Sequence, residues 1–171
     1  MNQDRNKLPF RKNTEGYFVD EENNILAQDS GKGYVLFPGG GIEQNEDPAM
    51  AMIRETEEET GYSVANIKEL GTTHLEWGQD WAKTEKQKIR YQQFKGDEMH
   101  FFFGKVKKVD SSRLVHKEED VWSGNKFMPI SKAINIIEQS KPFSSDISEY
   151  RNAQLKFLKF VQSKLKNLVS Q

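Results

Sequence analysis

Apolar and polar positions change their period several times along the chain. Thr14 to Asp20 alternates weakly and predicts a strand; Asp20 to Asn24 is a turn of residues that hydrogen-bond their own backbone. Ile25 to Gln28 and Tyr34 to Phe37 predict two more strands around a turn at Ser30 to Gly33. Val64 to Trp77 reads as a strand pair, and Glu98 to Val106 as a strand whose aromatic run belongs to the core. Val121-Trp122 and Lys126 to Met128 read as a closing strand. The irregular stretches are residues 1–13, a frayed lead-in, the connection Gly78 to Asp97, and the loop Asp110 to Asp120.

Three segments carry the helical period instead. Pro129-Ile130-Ser131 opens a helix running to Gln139, with Ala133, Ile134 and Ile137 inward. After Pro142 and Ser144-Ser145, a long helix runs to about Leu168. Its stripe of Ile147, Tyr150, Leu158, Val161 and Leu165 is core or interface rather than a cofactor site. The third helix begins at Asp47-Pro48, a cap followed by the residue best suited to the first helical position, and stops at Gly61. Ala49, Ile53, Thr56 and Thr60 share its packing face, and Glu55, Glu58 and Glu59 share another. Glu57 points away from that acidic face and is expected in solvent.

Three adjacent carboxylates repel, so a positive partner is expected over them. Hard oxygen donors of this kind suit Mg²⁺ or Mn²⁺. The preceding loop, Phe37-Pro38-Gly39-Gly40-Gly41, lets backbone approach the same place because glycine brings no side chain. A run of glutamates alone is more often a solvated face; the spacing of the whole stretch sets this one apart.

Charge and composition narrow the function. The chain has 171 residues, with 25 basic and 26 acidic ones and a net charge of −1. That balance predicts no strong attraction to a nucleic acid polymer or an anionic membrane. No apolar run approaches the roughly 20 residues of a membrane span, and the opening residues have no signal-like apolar core. Cysteine is absent, which removes disulfide and thiol chemistry and fits a cytoplasmic protein. In Gly78 to Asp97, Lys83, Lys86, Lys88, Arg90 and Lys95 interleave with Trp81, Tyr91 and Phe94. This is either a solvated connection or a lip where rings stack on a base and cations meet phosphates. His74 reads as a structural histidine before a ligand.

From Gly40 the spacing is Gly, five residues, Glu46, seven residues, Arg54-Glu55, two residues, Glu58-Glu59, one residue, Gly61. This resembles the Nudix box, with every fixed position present. The two bulky aliphatic positions depart, as Thr56 and Tyr62. The resemblance implies an α/β (α+β) fold: a Nudix-type α/β/α sandwich with a mixed β-sheet, over residues 1–145. The amphipathic helix of residues 146–171 would pack on the same domain or in a homodimer interface.

The resemblance also implies a reaction: hydrolysis of the diphosphate linkage of a nucleoside diphosphate derivative, a small molecule, by metal-activated water. Mg²⁺ or Mn²⁺ would be held by Glu55, Glu58, Glu59 and the carbonyl of Gly39. Arg54 would orient a box carboxylate such as Glu46, since its fork suits a bidentate pair. Gly40, Gly41, Trp81, Arg90 and Tyr91 are the substrate-binding candidates. The base is expected at Glu118 or Glu119, with Glu98 next and Glu58 inside the box. The motifs of coenzyme A, ADP-ribose and NADH-cleaving members are not evident, which leaves a nucleoside triphosphate or a related nucleotide. An ADP-ribose or nucleotide-sugar pyrophosphatase and an inactive nucleotide-binding module are the alternatives.

Overall fold

A computed structural model describes residues 4–109, 122, 126–140 and 145–169. Its centre is β1 (Phe10–Val19), paired in parallel with β7 (Gly96–Val109) and antiparallel with β5 (Gly39–Gly41). The main sheet runs β6-β7-β1-β2-β8, where β2 is Asn24–Leu26, β6 is Tyr62–Glu76 and β8 is Phe127–Pro129. A small hairpin of β3 (Gln28–Asp29) and β4 (Val35–Leu36) stands apart. Helix α1 (Pro48–Thr60) covers one face of the sheet. Helices α3 (Ile130–Gln139) and α4 (Ser145–Val169) cover the other, and α2 (Glu85–Gln93) bridges β6 and β7.

Two apolar clusters define the layers. Phe18, Leu26, Val64 and Phe102 pack with Met52 of α1. Tyr17, Val19, Met99 and Phe101 pack with Ile134 and Ile137 of α3 and with Phe157, Leu158 and Val161 of α4. α4 therefore joins the core of the same chain. Because β1 is covered on both faces, it is buried without interruption from Asn13 to Val19. A strand covered on both sides loses the clean alternation that a half-exposed one shows.

Several expected boundaries move. The lead-in contains a 3₁₀ turn at Arg5–Lys7, and β1 begins at Phe10 because Phe10 to Asn13 pair with Gly96 to Met99. The expected strand pair at Val64 to Trp77 is one long strand, β6, with register shifts where Asn66 and Gly71 take positive φ. These bulges interrupt the alternation and imitate a break between strands. The irregular connection contains α2, which Thr84 and Gln87 cap reciprocally. That helix buries no residue, so it leaves no apolar stripe in the sequence. The expected loop Asp110 to Asp120 lies outside the described residues. No helix among the described residues is long and apolar enough to cross a membrane.

Candidate active site

The acidic helix is set by local chemistry. Asp47 accepts from the backbone N–H groups of Ala49 (2.9 Å) and Met50 (3.2 Å), and Gly61 closes the helix at φ 73°. Thr56 is fully buried, and its hydroxyl donates to the carbonyl of Met52 at 2.7 Å. Thr60 repeats the arrangement onto Thr56 at 2.6 Å. A threonine thus fills a bulky aliphatic position without leaving a buried hydroxyl unpaired. Tyr62 packs edge-on against Phe127.

The glycine loop is pressed onto this helix. A Cβ on Gly40 would fall 2.3 Å from the carboxyl carbon of Glu55, so only glycine lets that carboxylate reach the backbone. One residue earlier, the N–H of Gly39 donates to Glu59 at 3.1 Å. Glu55 and Glu59, one helical turn apart, are therefore drawn to successive loop residues. Glu55 is only 7% exposed, whereas Glu58 and Glu59 are half-buried.

Arg54 is the cation at this junction. Its Nε and Nη2 each lie 2.9 Å from the two oxygens of Glu46. Nη1 donates to Glu55 at 2.8 Å, and Nη2 also donates to the carbonyl of Gly41 at 3.0 Å. Glu58 lies 3.5 Å away. The hydrogen bond to Glu46 is the main cause that raises the proton affinity of Arg54, and the same bond lowers the pKa of Glu46. Glu57 corrects the expectation that it faces solvent: it is 8% exposed. α1 therefore buries two of its carboxylates, Glu55 and Glu57.

Gly39 and Gly40 also border a cavity of about 390 Å³ on the α4 side of β1. Trp77 and Trp81 form one wall, their rings stacked at 3.7 Å and within 4° of parallel. Asp97 accepts from Trp77 Nε1 at 2.8 Å and from the Asn13 amide. Glu15 is wholly enclosed and accepts from Tyr17 at 2.7 Å, from Gln154 at 3.0 Å and from Tyr150. Burial raises the pKa of both carboxyls, against the pull of those hydrogen bonds. Thr14 borders the same space, and its buried hydroxyl has no hydrogen-bond partner among the described residues.

The expected site residues divide accordingly. Gly39, Gly40, Trp81 and Arg90 line the cavity, and Gly41 holds Arg54 through its carbonyl. Tyr91 does not line it; its ring lies under the Arg5 guanidinium, 3.3 Å from the centroid. Glu98 lies within β7, on the α1 face of the sheet, and contacts His100 (2.9 Å) and His74 (3.1 Å). The bond to His100 is the main cause that lowers its pKa. Glu118 and Glu119 lie outside the described residues. Among the described residues no three acidic or histidine side chains converge as a metal cage. Sequence reasoning passed over Arg11, Asn13, Glu15, Trp77, Asp97 and Tyr150. None of them carried a local signal, since in sequence Asn13 ends the polar lead-in and Glu15 falls at the polar start of a strand.

An α/β/α sandwich with an acidic helix locked to a glycine loop at a cavity mouth defines the class. The family model of the NUDIX domain matches residues 10–149, and the chain belongs to this family of hydrolases. Its relatives include an RNA pyrophosphohydrolase from Saccharophagus degradans, 38% identical over 66 residues, which cover 37% of this chain and 39% of that protein. Another RNA pyrophosphohydrolase, from Roseobacter denitrificans, is 26% identical over 131 residues, covering 74% of this chain and 72% of that one. The stronger identity thus spans well under half of the relative. Among solved structures, a NUDIX hydrolase from Nitrosomonas europaea is 17% identical with a TM-score of 0.54, covering 81% of this chain and 84% of its own. An ADP compounds hydrolase is 18% identical with a TM-score of 0.56, covering 95% and 76%. At such identities the likeness is one of fold.

Proposed function

We propose that the protein hydrolyses the diphosphate linkage of a nucleoside diphosphate derivative, with a nucleoside triphosphate or related nucleotide as substrate. The observation that carries this reading is the shared border at Gly39 and Gly40. The same two residues meet the box carboxylates on one side and the tryptophan- and arginine-lined cavity on the other. A phosphate chain bound there would lie between the two. The name carried by the Saccharophagus and Roseobacter relatives supports phosphate-anhydride chemistry and adds a 5′-triphosphorylated RNA end to the candidate substrates.

The donor set fits Mg²⁺ or Mn²⁺. Glu55, Glu58 and Glu59 are hard oxygen ligands within one helical turn of each other, and Glu55 and Glu59 already converge on adjacent loop residues. Glu55, Glu58, Glu59 and the carbonyl of Gly39 would hold the ion. Bound there, it would neutralise phosphate charge and acidify a water. Arg54 orients Glu55 and fixes the loop to the helix. The cavity residues hold the rest of the nucleotide, with the outer ring of the tryptophan pair available for stacking.

The base is proposed at Glu118 or Glu119. In support, Glu98 has its carboxylate held by two histidines and its proton affinity lowered, which weakens it as an acceptor. Glu58 is the alternative within the box. A homodimer through the outer side of α4, where Phe160 is exposed, and a cytoplasmic location complete the reading.

The test is a panel of nucleoside triphosphates, nucleoside diphosphate sugars, ADP-ribose and a 5′-triphosphorylated oligonucleotide, assayed with Mg²⁺ or Mn²⁺ for released phosphate and pyrophosphate. Turnover abolished by chelator in a protein that stays folded is the expected result. A folded protein that binds members of the panel and cleaves none would be a nucleotide-binding module instead.

A further inference from the structure

The cavity beside the box can be read by asking which of its polar groups already have partners. Its acceptors do. Glu15 accepts from Tyr17, Tyr150 and Gln154, and Asp97 accepts from Trp77 and Asn13. Its cations do not. Among the described residues Arg11 makes no side-chain hydrogen bond, and its ion-pair contact, to Asp97, is 4.0 Å long. Arg90, reaching in from α2, makes neither a side-chain hydrogen bond nor an ion pair among the described residues.

Arg11 is also placed where a phosphate chain leaving the box would pass. A Cβ on Gly41 would fall 2.7 Å from its Nη2, so the guanidinium lies across the glycine loop. Burial chiefly, and then the charge of Arg90, make Arg11 give up its proton more readily than a free arginine; Asp97 and Glu55 oppose this. Two partly desolvated like charges therefore face one cavity. A guanidinium presents a fork of donors that suits phosphate oxygens.

We propose that Arg11 and Arg90 form a clamp for a terminal phosphate, so that the preferred substrate is a nucleotide whose phosphate chain ends free and not in a sugar. This rests on the proposed hydrolysis at the box. A terminal phosphate carries close to two charges at neutral pH, whereas an esterified inner phosphate carries one. Two guanidinium groups match the former. A free nucleoside triphosphate and a 5′-triphosphorylated RNA end share this chemistry.

The experiment has a binding arm and a kinetic arm. Calorimetric titration with inorganic tripolyphosphate, in chelator, needs no turnover. Wild type binds, and Arg11→Gln and Arg90→Gln each weaken binding by roughly ten- to a hundredfold, the loss of a charge-assisted hydrogen-bond pair. Unliganded Arg90→Gln melts close to wild type, because this side chain makes no hydrogen bond or ion pair among the described residues and its repulsion of Arg11 is offset by its attraction to Asp97. A merely structural Arg90 would lower the melting temperature, while Arg11→Gln also loses the contact to Asp97 and is judged on binding. In the kinetic arm, KM for a nucleoside triphosphate rises by a similar factor, and KM for a nucleoside diphosphate sugar, whose inner phosphates carry less charge, rises several-fold less. Repeating this on a 5′-triphosphorylated oligonucleotide separates free nucleotide from RNA end.

Unchanged tripolyphosphate binding in both variants overturns the clamp, even if hydrolysis is intact. Equal KM rises for triphosphate and sugar nucleotide overturn the terminal-phosphate assignment. If nothing in the panel is cleaved, the hydrolysis reading falls and the binding arm still decides the clamp. Should Arg11→Gln fail to fold, Arg90→Gln, on the outer helix α2, decides it alone.

Discussion

Arg54 is the residue whose removal should reveal most about how the acidic helix is held. Arg54→Met keeps much of the volume and removes the fork. The variant loses the pair of bonds to Glu46, the bond to Glu55 and the bond to the Gly41 carbonyl. A charge-assisted hydrogen bond is worth about 1.5–3 kcal/mol, and breaking one partner of a fully buried pair costs about 3–5 kcal/mol. The Arg54 and Glu46 side chains are 27% and 18% exposed, so water takes back part of this. Glu55, at 7%, has less recourse. The expected loss is about 3 kcal/mol, or a melting temperature lower by about 6–12 °C for a chain of this size. Arg54→Lys should recover only part, because a point charge cannot serve the fork.

The two measurements are thermal unfolding and turnover, each with and without Mn²⁺. With the guanidinium gone, Glu55 and Glu58 lack their resident cation, so Mn²⁺ should stabilise Arg54→Met more than wild type. A variant that melts within about a degree of wild type, and that Mn²⁺ stabilises no more than wild type, would refute the view of Arg54 as the counter-ion of this site.

Other substitutions test neighbouring parts of the argument. Gly40→Ala places a Cβ 2.3 Å from the Glu55 carboxyl carbon and should cut turnover by about tenfold or more while costing about 1–3 kcal/mol of stability, read by activity and urea unfolding. Glu58→Gln and Glu59→Gln should lose most turnover with the fold kept; wild-type rates in both would contradict the proposed metal site. Phe157→Ala should destabilise by about 3–5 kcal/mol, because this ring, 6% exposed, fills the core under the Gly71 bulge. Glu15 holds its proton more tightly in the fold than the ordinary value of 4.5. Its share of stability is therefore full below that value and is lost as pH rises through the higher folded value. Glu15→Gln should flatten that fall in a urea titration across the acid range, and an unchanged profile would mean that the carboxyl ionises freely.

Much of what depends on neighbours along the chain was legible in the sequence alone, although α2 was not, because it buries no apolar stripe. Asp47-Pro48 and Gly61 bound α1 as expected, and the spacing of Glu55, Glu58 and Glu59 puts them within one turn. Arg54 pairs with Glu46 because a loop of fixed length returns the one to the other. α3 and α4 were legible because each buries one stripe at the helical period.

What tertiary structure decided is what depends on partners far along the chain. The covering of β1 on both faces turned Asn13, Thr14 and Glu15 into buried polar residues, and in sequence they look like the polar start of a strand. Glu15 belongs to the cavity only because α4 brings Tyr150 and Gln154 onto it from the other end of the chain. Arg11 and Asp97 meet because β1 and β7 pair in parallel, a register that no local pattern encodes. Glu57 looked solvated by helical geometry, yet it is buried, because how far a helix sinks is set by what packs around it and not by its own period.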